Sequence, residues 1–529
     1  MSYNSKIILC KGIKLDKDYT NVLSYSEQQM LNLCNSEGIK IAEASNYTFI
    51  DRNKKIRVAF SYAQCVQANY IAFQNPDYSN KWFFAFIDNV EFKGNNNTEL
   101  SFTIDAWSTW FDYWQKKPCY IVREHVNNDT IGLNTVNEDL AVPDVVEEYE
   151  QEDISLSEYY WVGVLTSHDP EYNTQFNAPI TVYNKNVMAK KLCLFDASDL
   201  TNLVNLGLFL MATNSQGHND DIDSLFFIPD LLINRATLQQ RIGTFGGQNY
   251  TFYLTPNDFD IKELNVNVPK VHSFQGVSIK NNKCFCYPYN YLFVSNNIGN
   301  TNIYKYENFS NSNNATFKIQ ATMSVGISGR LVPTNYKQMA ENDDEQISLG
   351  KYPTIAWSND AYTNWLTQQA VNIPTQLVTN ALNLAGNIAT GNVVGAATNI
   401  AGQIGSLIGS FYEASLLPNT TNGQNTADIN FLAERNTFTF RGMRAKTEYI
   451  KIIDDYFSRF GYKINRVLEP NIVGRTNWNY LEIGTSECVG YGDTPANFME
   501  IINNACRRGV TIWHSHENVG NYSLNNSIV

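Results

Sequence analysis

A chain of 529 residues is long enough to bury large cores and to divide into about two to four domains. Its formal net charge of −13 at pH 7 argues against nucleic-acid recognition by a basic face and against attachment to an anionic membrane through lysine clusters, so any membrane contact must be hydrophobic. Nine cysteines are scattered along it with only Cys284 and Cys286 close together, which indicates neither a disulfide framework nor a CxxC-type zinc site and favours reduced thiols.

The opening MSYNSKIILCKGIK holds an apolar run of four residues between Lys6 and Lys11. That is too short for a signal-peptide core, so synthesis without export by that route is expected. Residues 1–143 read as a β-rich N-terminal domain. KIRVAFSYA, NYIAFQN, KWFFAFIDNVEF and TELSFTIDAW alternate or run apolar, with turns at Asn75-Pro76-Asp77 and Gly94-Asn95-Asn96-Asn97, giving a meander of strands. Trp82-Phe83-Phe84 and Trp107–Trp114 read as strand or helix core, with a glycan platform as the alternative. Arg123-Glu124-His125 could pass for an acid/base pair but reads as a strand-face ion pair.

A middle domain, 144–330, follows and is mostly β. Asp144, Glu147, Glu148, Glu150, Glu152 and Asp153 crowd its start, which predicts a solvated loop. YYWVGVLT, SLFFIPDLL, NKCFCYPYNYLFV and TFKIQATMSV read as strands between Asn-rich loops, Ser295–Asn302 and Asn308–Asn314. His218-Asn219-Asp220-Asp221-Ile222-Asp223 is oxygen-rich and could hold Ca²⁺, yet it lacks the spacing and glycine of an EF-hand loop. A solvated loop is expected there, and no metal or other cofactor is expected in the chain. Residues 331–371 read as a strand-and-helix linker.

From Ala361 to Tyr412 there is no Asp, Glu, Lys, Arg or His. The segment 372–418, bracketed by Pro374 and Pro418 and broken at Thr390-Gly391-Asn392, predicts two helical arms joined by a tight turn. Each arm approaches membrane-spanning length, since ~20 residues at ~1.5 Å rise cover a ~30 Å hydrocarbon core. Asn380, Asn383 and Asn387 on the first arm, and Asn399, Gln403, Ser406 and Ser410 on the second, form uncharged polar stripes. Opposite them run Leu377, Ala381, Leu384, Ile388, Val393, Val394, Ile400, Ile404, Leu407, Ile408 and Phe411. Amides buried singly in lipid are costly, so the pattern suits an element that associates with copies of itself, polar faces inward. Gly391/Gly395 and Gly405/Gly409 would allow close helix approach. A buried core hairpin or a flexible Gly/Ala linker is the alternative.

The C-terminal domain, 419–529, is regular. TFTFRGMRA reads as a strand and TEYIKIIDDYFSRF as a helix with Tyr449, Ile453, Tyr456, Phe457 and Phe460 on one face, stopped by Gly461. YKINRV and NWNYLEIG follow as strands, then a helix capped by Thr494 with Pro495 in its first turn and Arg507, Arg508 and Gly509 at its end, then the strand VTIWHS. The order β-α-β-β-α-β is that of a ferredoxin-like module, whose exposed edges pairing with neighbouring copies would remove. The fold class expected is therefore α+β, predominantly β. His514-Ser515-His516-Glu517 could place two imidazoles on one strand face, but without further ligands nearby it reads as a surface turn. Asp454 and Asp455 point to different sides of their helix, and no G-x-S-x-G, P-loop or HExxH motif occurs, so no catalysis is assigned.

QNPDYSNKWFFAFI (Gln74–Ile87), FTIDAWSTW, IVREHV (Ile121–Val126), GYKINRV (Gly461–Val467), NWNYLEIGTSEC and GVTIWHSHENVGNYS together resemble the tail knob, or distal tail tube, proteins of Picovirinae-type short-tailed phages of Gram-positive bacteria. The strings occur in the family's order and at both ends. In the family a short helix precedes the hydrophobic loop, and NDAYTNWLTQQ (Asn359–Gln369) is its counterpart here. The resemblance implies a homohexamer at the virion tail tip. Its N- and C-terminal domains, with the 331–371 linker, would build a β-tube that contacts the upper tube or connector and conducts DNA without sequence-specific binding. The hydrophobic loops would plug the lumen, then leave it during infection and enter the host cytoplasmic membrane as a pore, apolar stripes toward lipid and Asn/Gln stripes toward water. The middle domain and the loop are both shorter than the family's. Competing readings are a tail-tip cell-wall-degrading enzyme, which would need paired carboxylates or zinc in a cleft, and a secreted pore-forming toxin, which the missing signal peptide disfavours.

Overall fold

The computed structural model describes residues 5–45, 47–51, 54–74, 80–140, 146–155, 160–175, 180–182, 185–188, 191–196, 200–216, 218, 221–255, 264–270, 273–274, 276–296, 300–324, 326–337, 347–348, 354–356, 437–490 and 492–529. They form two units. The first gathers Met1–Val146, Ser273–Tyr289 and Ala445–Val529, and the second Glu147–His272 and Asn290–Arg444. Strands dominate both, so the described chain is α+β and predominantly β.

In the first unit, β1 (Lys6–Cys10), β3 (Lys40–Ser45), β4 (Thr48–Asp51), β5 (Lys55–Val58), β6 (Tyr70–Gln74), β7 (Trp82–Gly94) and β8 (Asn97–Ile104) form an antiparallel sheet, order β3-β1-β6-β7-β8-β5-β4. Side chains alternate across a strand, so the continuous apolar runs divide between two cores. Ile7, Leu9, Ile71, Phe73, Phe83 and Ala85 enter one. Ile8, Cys10, Tyr70, Ala72, Phe84 and Phe86 enter the other. The expected β7–β8 turn uses positive φ at Gly94 (151°) and Asn96 (49°), the region open to Gly and tolerated by Asn. Two predicted strands stop early because a capping residue intervenes. Ser61 and Gln64 close a capping box on α2 (Tyr62–Cys65). Asp105 accepts from Ser108 N at 3.1 Å to start α3 (Ala106–Trp110). A further box, Ser26 with Gln29, opens α1 (Glu27–Asn35).

In the second unit, β18 (Gln239–Phe245), β19 (Gln248–Leu254), β16 (Lys191–Asp196), β11 (Tyr160–Thr166), β17 (Ile222–Pro229) and β26 (Thr354–Ala356) pair in that order. Helix α4 (Leu200–Ser215) lays Phe209 against Phe195, Tyr250 and Phe252 of this sheet. A second sheet runs β20 (Leu264–Pro269), β23 (Asn314–Ser324), β24 (Gly326–Thr334), β25 (Ile347–Ser348). A third runs β10 (Val146–Ser155), β27 (Thr437–Ala445), β21 (Asn290–Ser295), β22 (Thr301–Tyr304). Two ribbons pair β12 (His168–Asp169) with β13 (Thr174–Gln175) and β14 (Ile180–Val182) with β15 (Lys185–Met188). Strand β10 corrects the expected solvated loop at 144–153. Pairing beside β27 recruits an acidic run that its composition alone assigns to solvent. NKCFCYPYNYLFV is also only partly a strand, because Asn282–Phe285 forms a 3₁₀ turn and β21 begins at Asn290.

The C-terminal elements β27, α5 (Thr447–Phe460), β28 (Tyr462–Leu468), β29 (Trp478–Ile483), α6 (Ala496–Arg508) and β30 (Val510–Trp513) appear in the expected order. Their pairing is not that of a self-contained ferredoxin-like module. The sheet is β2 (Asn21–Leu23), β30, β29, β9 (Cys119–Glu124), β28, with β2 parallel to β30 and the other pairs antiparallel. Strand β27 instead buries Phe438 and Phe440 with Leu292, Val294 and Phe317, and β9 is inserted between β29 and β28, where its Cys119 and Ile121 share a core with Leu481 and Ile483. Helix α5 buries Ile450, Asp454 and Phe457, while Tyr449 of the predicted face is exposed. Pro495, not Thr494, occupies the N-cap of α6, and the buried Thr494 hydroxyl has no partner among the described residues. None of the nine cysteines forms a disulfide, and all are buried.

Candidate functional site

The sheet that joins both ends of the chain holds an extensive buried polar network. Strand β9 runs through its interior, and three consecutive side chains at its end, Arg123 and Glu124 of the strand and the following His125, are each buried for a different purpose. Arg123 donates to the Gly461 carbonyl at 2.9 Å and pairs with Glu138, which also pairs with Lys283 and accepts from Lys463 N at 2.9 Å. Burial lowers the Lys283 ammonium against the pull of Glu138. The ion pair expected within Arg123-Glu124-His125 is therefore made instead with Glu138, 15 residues on. Glu124 accepts from Asn471 N at 3.1 Å, and burial raises its carboxyl from 4.5 to about 7. His125 accepts from Tyr480 N through Nδ1 at 2.8 Å, which leaves its Nε2–H to donate to Ser458 O at 3.1 Å. Burial, reinforced by the charge of Arg475, lowers this imidazole from 6.5 to about 3, so it is a neutral strut and not an acid or base near pH 7.

Gly461 lies where α5 meets this strand. Its φ is +66°, and a Cβ there would sit 2.2 Å from the Glu124 carbonyl oxygen, so the helix stop and the close approach of β9 demand the same glycine. Two turns earlier, Asp454 accepts from Lys280 N, from Asn281 N at 2.9 Å and from Asn281 Nδ2 at 2.9 Å. Its neighbour Asp455 is exposed. The two carboxylates do point apart as expected, and the buried one fastens segment 273–289 to α5. Sequence reasoning missed Asp454, Glu138 and Gly461 as a set, because their partners lie far along the chain and no local period marks them.

The other predicted residues are spread over the fold. Phe83, Phe84, Trp107 and Trp110 are buried, and Trp107 Nε1 donates to Leu23 O at 2.9 Å, so the aromatic runs are core and present no glycan platform. His516 is buried and accepts from Lys14 N at 3.2 Å, which corrects the expected surface turn. Burial lowers both His514 and His516. His218 meets two other potential ligand residues in space, His168 and Asp221. The polar stripe Asn380, Asn383, Asn387, Asn399 and Gln403, the apolar residues from Leu377 to Phe411, the helix Asn359–Gln369 and the turn Asn75–Asp77 lie outside the described residues. Among the described residues no helix is long and apolar enough to cross a membrane.

At the outer edge of the sheet β28 pairs, among the described residues, with β9 alone, and it carries exposed Val467 and Leu468 beside exposed Tyr120. Such an edge offers unpaired backbone and apolar side chains to another chain.

Residues 256–527 match the family described as the C-terminal domain of tail knob protein gp9 of Bacillus phage phi29. Residues 3–115 match the N-terminus of the caudoviral major tail protein. The chain is similar over its length to tail knob protein gp9 of Bacillus phage phi29, 25% identical with 99% of this chain and 98% of that one covered. It is 24% identical to the counterpart in Bacillus phage B103, covering 97% and 94%. Among solved structures it is similar to the tail knob protein gp12 of bacteriophage C1, with a TM-score of 0.59 and 13% identity over 99% of this chain and all of that one. At that identity the likeness is one of fold.

Proposed function

The chain belongs to the phage tail knob protein gp9 family, and on that premise we propose that this structural tail protein assembles as a homohexameric, DNA-conducting tube. Hydrophobic loops, residues 372–418, plug that tube and then penetrate the host cytoplasmic membrane for genome ejection. The observation that carries the loop's role is the absence of any charged residue from Ala361 to Tyr412 in a chain of net charge −13. A stretch of that composition is stable in water only when covered, and an assembly lumen is one place to cover it. The exposed apolar edge at β28 supports association between copies. Any excess carboxylate facing the lumen would let a polyanion slide instead of adhere. The tube contacts other tail components, and the proposed domains are 1–143, 144–330, 331–371, 372–418 and 419–529.

Electron microscopy of the purified protein tests the assembly. Sixfold rings with a channel of DNA width are expected, whereas a stable monomer at high concentration, with no rings on grids, refutes it. Deleting Asn372–Leu417 separates the loop from the tube: assembly should persist and infection should stop after adsorption. Failure of the shortened chain to fold would make the segment part of a core.

A further inference from the structure

We propose that His168, His218 and Asp221 form a binding site for one divalent cation of the zinc class. The fold brings them together through the β11–β17 ladder, where Thr166 is paired with Ile222. Just beyond it, Ser167 N donates to Asp221 O at 3.0 Å and Asp221 N to His218 O at 3.1 Å. One potential ligand atom from each of the three residues lies within 4.8 Å of the others.

The hydrogen bonds of His168 set that imidazole with a lone pair to offer. Gln216 Nε2 donates to Pro170 O at 3.1 Å, which orients its Oε1 to accept from His168 Nε2 at 2.6 Å. The proton of His168 therefore sits on Nε2, and Nδ1 carries the lone pair. His168 is fully buried, and this Nδ1 has no partner among the described residues. An acceptor left unmade in the interior is costly, and a cation would satisfy it. On the second ring, His218 Nδ1 bonds Asp221 Oδ2 at 2.7 Å, a contact that a cation held by both residues would replace. A ring nitrogen fastened to an amide while the other nitrogen is free, as in His168, is the usual state of a ligating histidine.

The rings now stack at 3.9 Å with 14° between planes, whereas a metal lies in the plane of each ring at ~2.0–2.1 Å from nitrogen. His168 is held by Gln216, so the ring that turns is the half-buried His218. Its rotation places the cation against His168 Nδ1, a nitrogen of His218 and a carboxylate oxygen of Asp221, with water completing the shell. Two imidazoles with one carboxylate suit zinc-like ions and not Ca²⁺, which requires six to eight oxygens. The next carboxylates, Asp169 and Glu171, are engaged by Arg241. The site departs from the solvated loop expected at His218–Asp223, since the decisive ligand lies 50 residues earlier in sequence, on ribbon β12.

The test uses the tag-free full chain, stripped with a chelator and titrated with Zn²⁺ by calorimetry and with Co²⁺ by visible absorption. One cation per chain is expected, with a rise in the thermal midpoint on adding Zn²⁺. His218→Ala and Asp221→Asn, both at half-buried positions, should each weaken binding at least about tenfold and abolish the thermal rise, with unchanged circular dichroism without metal. His514→Ala should leave binding unchanged. Substoichiometric binding, equal affinity in wild type and both loop variants, or loss of binding in His514→Ala would overturn the assignment.

Discussion

Replacing Glu124 by Gln should stabilise the protein at alkaline pH and leave it nearly unchanged at acid pH. The carboxyl titrates near 4.5 when exposed and at about 7 in the buried setting of β9. A raised folded value means that stability is fully present below pH 4.5 and is lost as pH rises through 7, because the folded state must ionise a carboxyl that burial holds neutral. At about 1.36 kcal/mol per pH unit, the interval amounts to about 3 kcal/mol by pH 8. The amide keeps an oxygen to accept from Asn471 N and cannot ionise, so the variant escapes this loss. For a unit of this size about 3 kcal/mol corresponds to roughly 6–12 °C in thermal midpoint. His125 has the opposite sign: its folded value of about 3 against 6.5 leaves stability complete above pH 6.5 and draining away as pH falls toward 3. Between about pH 4.5 and 6.5 the two slopes oppose each other and the wild-type profile should be nearly flat, whereas Glu124→Gln, which keeps only the His125 contribution, should go on gaining stability up to about pH 6.5. Thermal and urea unfolding across pH 5–8 read the difference. Parallel curves for the two proteins would refute the burial argument.

Gly461→Ala should cost at least ~2 kcal/mol, since it combines a positive φ with a Cβ driven into the Glu124 carbonyl; a urea midpoint equal to wild type would contradict the packing described. Glu138→Ala strands Arg123 and Lys283 as buried cations and should cost about 3–5 kcal/mol, with Glu138→Gln milder, read from the same titration. For the loop, a synthetic Pro374–Leu417 peptide should release dye from liposomes. Ile404→Lys should block release, at about 2.5–3.5 kcal/mol per helix on insertion scales, while Asn387→Lys on the polar stripe should cost less. Equal inhibition by both, or an inactive parent peptide, would sink the amphipathic reading.

Local signals carried a good part of this fold. TFTFRGMRA and TEYIKIIDDYFSRF become β27 and α5 with the predicted bounds, because alternation and a glycine stop are written within a dozen residues. Which sheet a strand joins is not written there. The periodicity of β27 is satisfied equally by Leu292 and Phe317 of the second unit or by a ferredoxin-like neighbour, and only packing chooses. The same holds for the polar network. The sequence places Asp454 and Asp455 on different sides of their helix, but the donors to Asp454, Lys280 and Asn281, lie more than 170 residues away in sequence. His168 had no sequence context at all that tied it to His218.

The interleaving of β2 and β9 with β28–β30 also governs how the protein is made. When β9 has left the ribosome, its neighbours at 462–468 and 478–483 do not yet exist, and at ~5–20 residues per second they follow only after tens of seconds. Throughout that interval the nascent chain presents open strand edges, and the charge-free stretch emerges before the sheet can close. Closure is therefore a post-translational event of high contact order. Ribosomes that stall before codon 462 leave the N-terminal half without its partner strands, so polypeptide completeness becomes a condition for the first unit to fold.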